Sequence, residues 1–186
     1  MRRKLRLCVI LLAIVTVASA LDDEPAEHFT AMAVMPAGAR ASTLPLNIDI
    51  HAYTGDSTMK ALSSILSDGN NQDGLLKKFE SMPGIGDVSR EGRVGVQVKI
   101  IRVRQTARGL REVTMLTDRP IHFWEVNSAS PTVDYPYGLI RFTVDEKGNG
   151  TGKAYPIVKI KSLDANHIDI DDYGVIPIGL RIHQVQ

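Results

Sequence analysis

The chain changes its hydrophobic period twice, and the changes divide it into three parts. From Leu46 to Tyr53 the residues alternate: Leu46, Ile48, Ile50 and Ala52 fall on one side, Asn47, Asp49, His51 and Tyr53 on the other. A period of two with one apolar face predicts a half-buried strand. Phe29 to Met35 is an apolar run that reads as a strand before it, and Pro36 to Thr43, rich in small residues, reads as the loop between them. The period then lengthens. Asp56 or Ser57 can cap a helix in which Met59, Leu62, Ile65 and Leu66 share a face, ended by Asp68-Gly69-Asn70. A second helix starts at Asn71 or Gln72, carries Leu75, Leu76, Phe79 and Met82, and stops at Pro83. Gly74 works against this second helix, since glycine is a poor helix former. Short isolated helices are marginal in water. The two apolar stripes are therefore expected to pack on a sheet rather than to form an open lid.

Past Pro83 the pattern is that of strands. Arg93 to Gln105 alternates as one long strand, with Val94, Val96, Val98, Ile100 and Arg102 on one side and Gln97, Lys99, Ile101 and Val103 on the other. Ala107-Arg108-Gly109 turns it into Leu110–Thr117, and Asp118-Arg119-Pro120 turns again into Ile121–Val126. Further strands are expected at Tyr137–Asp145, Gly152–Ser162, His167–Asp171 and Ile176–Val185. About nine strands at this turn spacing predict an α+β fold. It is mainly an antiparallel barrel or sandwich, with a helical pair near residues 57–82 inserted between the second and third strands.

The N-terminus changes the picture. Arg2, Arg3, Lys4 and Arg6 precede an apolar run from Leu7 to Val17, and Ala18-Ser19-Ala20 follows as an A-x-A cleavage signal. That layout predicts a secretory signal peptide over residues 1–20. The run is shorter than the roughly 20 residues needed to span a bilayer. A mobile acidic leader is expected over 21–28 and a single β-rich domain over 29–186. No transmembrane segment is expected once the signal is removed, and export would end in the periplasm or outside the cell.

The formal charge of the whole chain is +1; the signal holds four of its 22 basic residues and no acidic one, which leaves 18 against 21. The basic excess that marks a nucleic-acid partner is thus missing. The one cysteine, Cys8, lies inside the signal. Disulfides, thiol nucleophiles and cysteine-ligated metals are accordingly not expected in the mature chain.

Candidate chemistry is sparse. Asp49 and His51 share one strand face, and His167 and Asp169 share another. Histidine and carboxylate at i, i+2 can ligate a metal or act as base and acid if the strands are neighbours. The same pattern fits a solvated strand face, which periodicity alone favours. Asp145 to Gly150 opens like a calcium loop, but Lys147 stands where an oxygen ligand belongs, so no calcium site is expected. The G-x-S-x-G, H-E-x-x-H, Walker and G-x-G-x-x-G patterns are missing, so enzymatic activity is not favoured and no cofactor is expected. Trp124, within Ile121-His122-Phe123-Trp124-Glu125, and Tyr135 and Tyr137 could rim a pocket for an apolar ligand, although a core setting is the commoner one for the aromatics of the first stretch and Tyr135-Pro136-Tyr137 could equally form a rigid strand entry.

The Phe29-Thr30-Ala31 start, the Thr117-Asp118-Arg119-Pro120-Ile121 stretch with Phe123-Trp124-Glu125, and Asp134-Tyr135-Pro136 resemble an uncharacterised family of small exported bacterial proteins. That resemblance implies export and transfers no site. The function expected is a non-catalytic exported module that binds a small apolar ligand, an envelope component or a protein partner. The alternatives are a hydrolase or metal-dependent enzyme that uses the strand-face histidines and carboxylates, and a structural envelope protein.

Overall fold

A computed structural model describes residues 27–35, 42–121, 136–164, 167–173 and 176–185. The elements run β1 (Glu27–Met35), β2 (Ser42–Ile50), α1 (Asp56–Ser67), α2 (Gln72–Ser81), β3 (Gly86–Ser89), β4 (Val96–Gln105), β5 (Arg111–Thr117), β6 (Tyr137–Val144), β7 (Asn149–Leu163), β8 (Ile168–Tyr173) and β9 (Ile178–Val185). Every strand pairing is antiparallel. The pairs β1–β2–β3–β4–β5–β6–β7–β9 return to β1, which closes an eight-stranded barrel. The ninth strand, β8, lies outside this ring and pairs with the second half of β7, from Val158 to Leu163. The expected α+β barrel with a helical pair between the second and third strands is the fold observed.

Period two builds the barrel interior. Phe29, Ala31 and Ala33 of β1, Leu46, Ile48 and Ile50 of β2, Val113 and Met115 of β5, Ile140 and Phe142 of β6, and Leu180 and Ile182 of β9 point inward and are buried together. Phe29 and Phe142 meet edge to face with centroids 5.2 Å apart, a favoured aromatic geometry. The side chains of all eight strands fill this space as a core.

A second core lies outside the barrel. Met59, Leu62 and Leu66 of α1 and Leu75 and Phe79 of α2 cover Ile100, Leu116, Tyr137, Leu139, Val158 and Ile160 on the outward side of β4 to β7. The helical stripes thus pack on the sheet, as their length and apolar content demand. The cap of α1 differs from expectation: Gly55 occupies the N-cap and makes no side-chain bond. In α2, Asn71 Oδ1 accepts from the Gly74 amide at 2.8 Å. A Cβ at position 74 would stand 2.6 Å from Asn71 Nδ2. The glycine that lowers helix propensity is what lets this cap close.

Several boundaries move. Glu27 and His28, assigned by sequence to the leader, open β1. β2 starts at Ser42, within the expected loop, and ends at Ile50 rather than Tyr53. β3 was not expected as an element, and Arg93 to Gly95 precede β4 rather than belonging to it. The strand expected at Ile121–Val126 falls, apart from Ile121, outside the described residues. A register shift between Val98 and Ile100 changes the faces of β4. Val98 and Ile101 enter the barrel while Ile100 meets the helices. The extra residue of a bulge re-aims every side chain beyond it. The inserted residue, Lys99, is buried; its Nζ donates to Met82 O at 2.9 Å and lies 3.5 Å from Asp118 Oδ2.

Candidate functional site

Three polar groupings stand out: a row on the bare wall of the barrel, a plug at one mouth, and a recess at the other. The row crosses β1, β2 and β3 on their outward side, where the register aligns His28 with Asp49 and Asp49 with Asp87. His28 Nδ1 is 2.5 Å from Asp49 Oδ1, and His51 Nε2 is 3.6 Å from Asp87 Oδ2. Burial and the Asp49 charge raise the Asp87 carboxyl above its ordinary value, against the pull of His51 and His28. Two imidazoles flank two adjacent carboxylates here, in the order His28, Asp49, Asp87 and His51, and each imidazole already has a carboxylate partner. The row lies on an open sheet face, so it compensates its own charge rather than enclosing a substrate.

The second expected pair sits elsewhere. His167 Nε2 is 2.7 Å from Asp169 Oδ1, beside β8, whose strand partner is β7. Since β8 and β2 are not neighbours, the fold does not bring Asp49 and His51 together with His167 and Asp169. Among the described residues, no group of three or more histidine, cysteine or acidic side chains is placed to hold a metal ion. In the Asp145 loop the carboxylate turns on its own backbone, accepting from the amides of Lys147 and Asn149 at 2.9 Å each.

The plug closes the mouth where β1 begins. The Glu27 carboxylate accepts from the Tyr53 hydroxyl, from the Arg111 guanidinium and from Gln184 Nε2. The Arg111 guanidinium sits 5.8 Å above the Phe29 ring centroid, within cation–π range. Burial and the neighbouring Glu27 push the Tyr53 phenol upward, which keeps it a proton donor to Glu27.

Of the residues expected to rim a ligand pocket, Trp124 and Tyr135 lie outside the described residues. Tyr137 is fully buried between sheet and helices. Its ring meets Phe79 edge to face at 5.4 Å, and its hydroxyl donates to Gln72 O at 3.0 Å. Burial and the Asp73 charge raise its phenol, so it remains the donor that ties α2 to β6.

The recess lies at the opposite mouth, between the β3–β4 turn and the residues after β5. It has a volume of ≈ 440 Å³ and is lined by Arg90, Arg93, Val94, Gly95, Val96, Arg119 and Pro120. An open groove of ≈ 420 Å³ crosses the bare wall over Thr30, Met32, Pro45, Asn47, Arg181 and His183.

His28, Asp87 and the arginine recess were not anticipated as site residues. His28 is the one with a usable signal, since Glu27, Phe29, Ala31 and Ala33 against His28, Thr30 and Met32 extend the period-two pattern upstream. No protein-family model, curated protein or solved structure matches the chain. Among the described residues no helix is long and apolar enough to cross a membrane.

Proposed function

We propose that the protein is an exported, non-catalytic binding module that engages an envelope component through its outer surface. The observation that carries this reading is the filled barrel: side chains of all eight strands occupy the interior, and the Glu27–Arg111 pair with Tyr53 and Gln184 covers one mouth. Space open to a partner is found among the described residues in recesses of the outer face, including one of ≈ 460 Å³ beside the helical pair. A small apolar ligand held inside the barrel fits this packing poorly. The enzymatic alternative would draw on His28, Asp49, His51 and Asp87. Their mutual pairing and open setting argue against it, since catalytic groups work best in a site that excludes water. Export is supported by the basic, apolar and A-x-A segments of residues 1–20.

Sedimentation with washed cell-envelope fragments of the producing organism tests the reading. The purified chain should pellet saturably and be displaced by an excess of unlabelled chain. A chain that stays in the supernatant at every fragment concentration would overturn it.

A further inference from the structure

We infer that the recess between the start of α1 and the connection from α2 to β3 holds the chain's own acidic segment 21–26, which precedes β1 and lies outside the described residues. This docking goes beyond the binding reading above and stands or falls apart from it. The recess has a volume of ≈ 460 Å³. Tyr53, Ala61, Met82, Pro83 and Ile85 supply its apolar lining, and Ser57, Thr58 and Lys78 are among its polar residues. One wall is fixed to the barrel: Thr54 N donates to Ile101 O at 2.8 Å, and Thr54 Oγ1 accepts from Ile101 N at 3.0 Å.

The chain enters β1 beside this recess. Glu27, the first residue of β1, accepts from the hydroxyl of Tyr53, a residue that lines the recess. The six residues ahead of Glu27 can extend over about 20 Å, enough to pass the Tyr53 ring and the first turn of α1. Their sequence is Leu21-Asp22-Asp23-Glu24-Pro25-Ala26, with three carboxylates. The attraction does not depend on an unpaired buried cation. Lys99, which also lines the recess, is already engaged by Met82 O at 2.9 Å and by Asp118 Oδ2 at 3.5 Å. It comes instead from the N-terminus of α1, where Gly55 occupies the N-cap without a side-chain bond, and from Lys78, exposed on α2. A helix N-terminus left without a capping side chain favours a carboxylate from elsewhere. Asp56, the acid of that first turn, is directed to Arg102 at 2.8 Å. No carboxylate is found among the described residues that line the recess. Pro25 lowers the cost of docking. A proline fixes its own φ and holds the preceding residue extended, which leaves less conformational entropy to lose. Leu21, at the far end of the segment, matches the apolar lining. Docked in this way, the segment occupies an outer recess that a partner could enter only by displacing it.

The test places one nitroxide on the full chain, at Asp22→Cys in a Cys8→Ser background, and reads paramagnetic broadening of amide resonances. Ser57, Thr58 and Ala61 should broaden more than Gly109 and Gln184, which border the plug through a separate recess, and more than Asn47 on the bare wall. Three changes should each reduce the broadening at Ser57 and Thr58 ~2-fold or more, the scale of one lost surface-charge or helix-terminus contact. Asp23→Asn with Glu24→Gln weakens the attraction from the segment's side, and Lys78→Glu reverses it from the other. Ala61→Trp, at an exposed position of α1, fills the recess. None of these positions lies in the described core, so the folded spectrum should persist in each variant. Equal broadening on all sides of the mouth, or broadening undiminished in any one of the three variants, would overturn the inference.

Discussion

The barrel presents two walls of opposite chemistry. On β4 to β7 the outward positions carry Ile100, Leu116, Tyr137, Leu139 and Val158, and the helical pair covers them. On β9, β1, β2 and β3 the outward positions carry Arg181, His183, His28, Thr30, Asn47, Asp49 and Asp87, and no helix of the described residues lies over them. Both walls share one interior core. The difference therefore shows what decides whether a barrel strand is coated: a strand apolar on both faces must find a second layer, while an alternating strand can stand in water.

The largest expected effect breaks the covered wall. Phe79→Ala removes a fully buried ring that meets Tyr137 and the outer sheet. Chemical denaturation should show a loss of ~3–5 kcal/mol, the range for buried aromatic truncation. Met32→Ala on the bare wall, where the side chain is 38 % exposed, should cost no more than ~0.5 kcal/mol. Equal losses at the two sites would abolish the distinction.

A smaller change sharpens it. Tyr137→Phe keeps the ring and deletes only the hydrogen bond to Gln72 O, so the cost should be ~0.5–1.5 kcal/mol. Hydrogen exchange should locate that cost at the start of α2. A loss spread evenly over the barrel strands would show that the helical pair is not held as a separate layer.

The smallest effect belongs to the bare wall and depends on pH. Folding raises the Asp87 carboxyl above its ordinary value of 3.8, so the folded state binds this proton more tightly than the unfolded chain. The stability it contributes is full below the ordinary value and is lost as pH rises through the raised one. Asp87→Asn should therefore match the wild type near pH 3 and become the more stable of the two toward pH 7. Urea midpoints across that range would check the sign. A variant that loses stability relative to wild type as pH rises would show that pairing with His51 outweighs burial and Asp49.

The same contrast marks how far the sequence could be read. The alternation of Leu46 to Ile50 is clear because one face meets water. The outer core is also legible, since the helical stripes need a partner surface and the runs Leu139-Ile140 and Met115-Leu116 are apolar on both sides. The bulge at Lys99 is not legible. It arises from how β4 pairs with β5, and a period-two pattern that shifts by one residue still looks like alternation. β3, four residues long, is too short to show a period. The polar row was half visible for the same reason. Asp49 and His51 lie on a recognisable strand, but their partners His28 and Asp87 come from a strand that starts earlier than its apolar run and from one with no pattern of its own. The recess was invisible because Arg93 and Arg119 are distant in sequence and meet only through the β4–β5 hairpin.

The pairing of β1 with β9 sets an order of events during synthesis. Phe29 finds its partner Gln184 only when the chain has been made as far as β9. Until then one edge of β1 stays open, and the ring is an incomplete sheet with exposed donors and acceptors. Adding β9 closes a loop of well over a hundred residues, a contact of high sequence separation that slows the final step. The barrel thus cannot complete itself vectorially as it emerges; the eight-residue strand β9 acts as a latch, and a nascent chain remains unsealed until that strand is free.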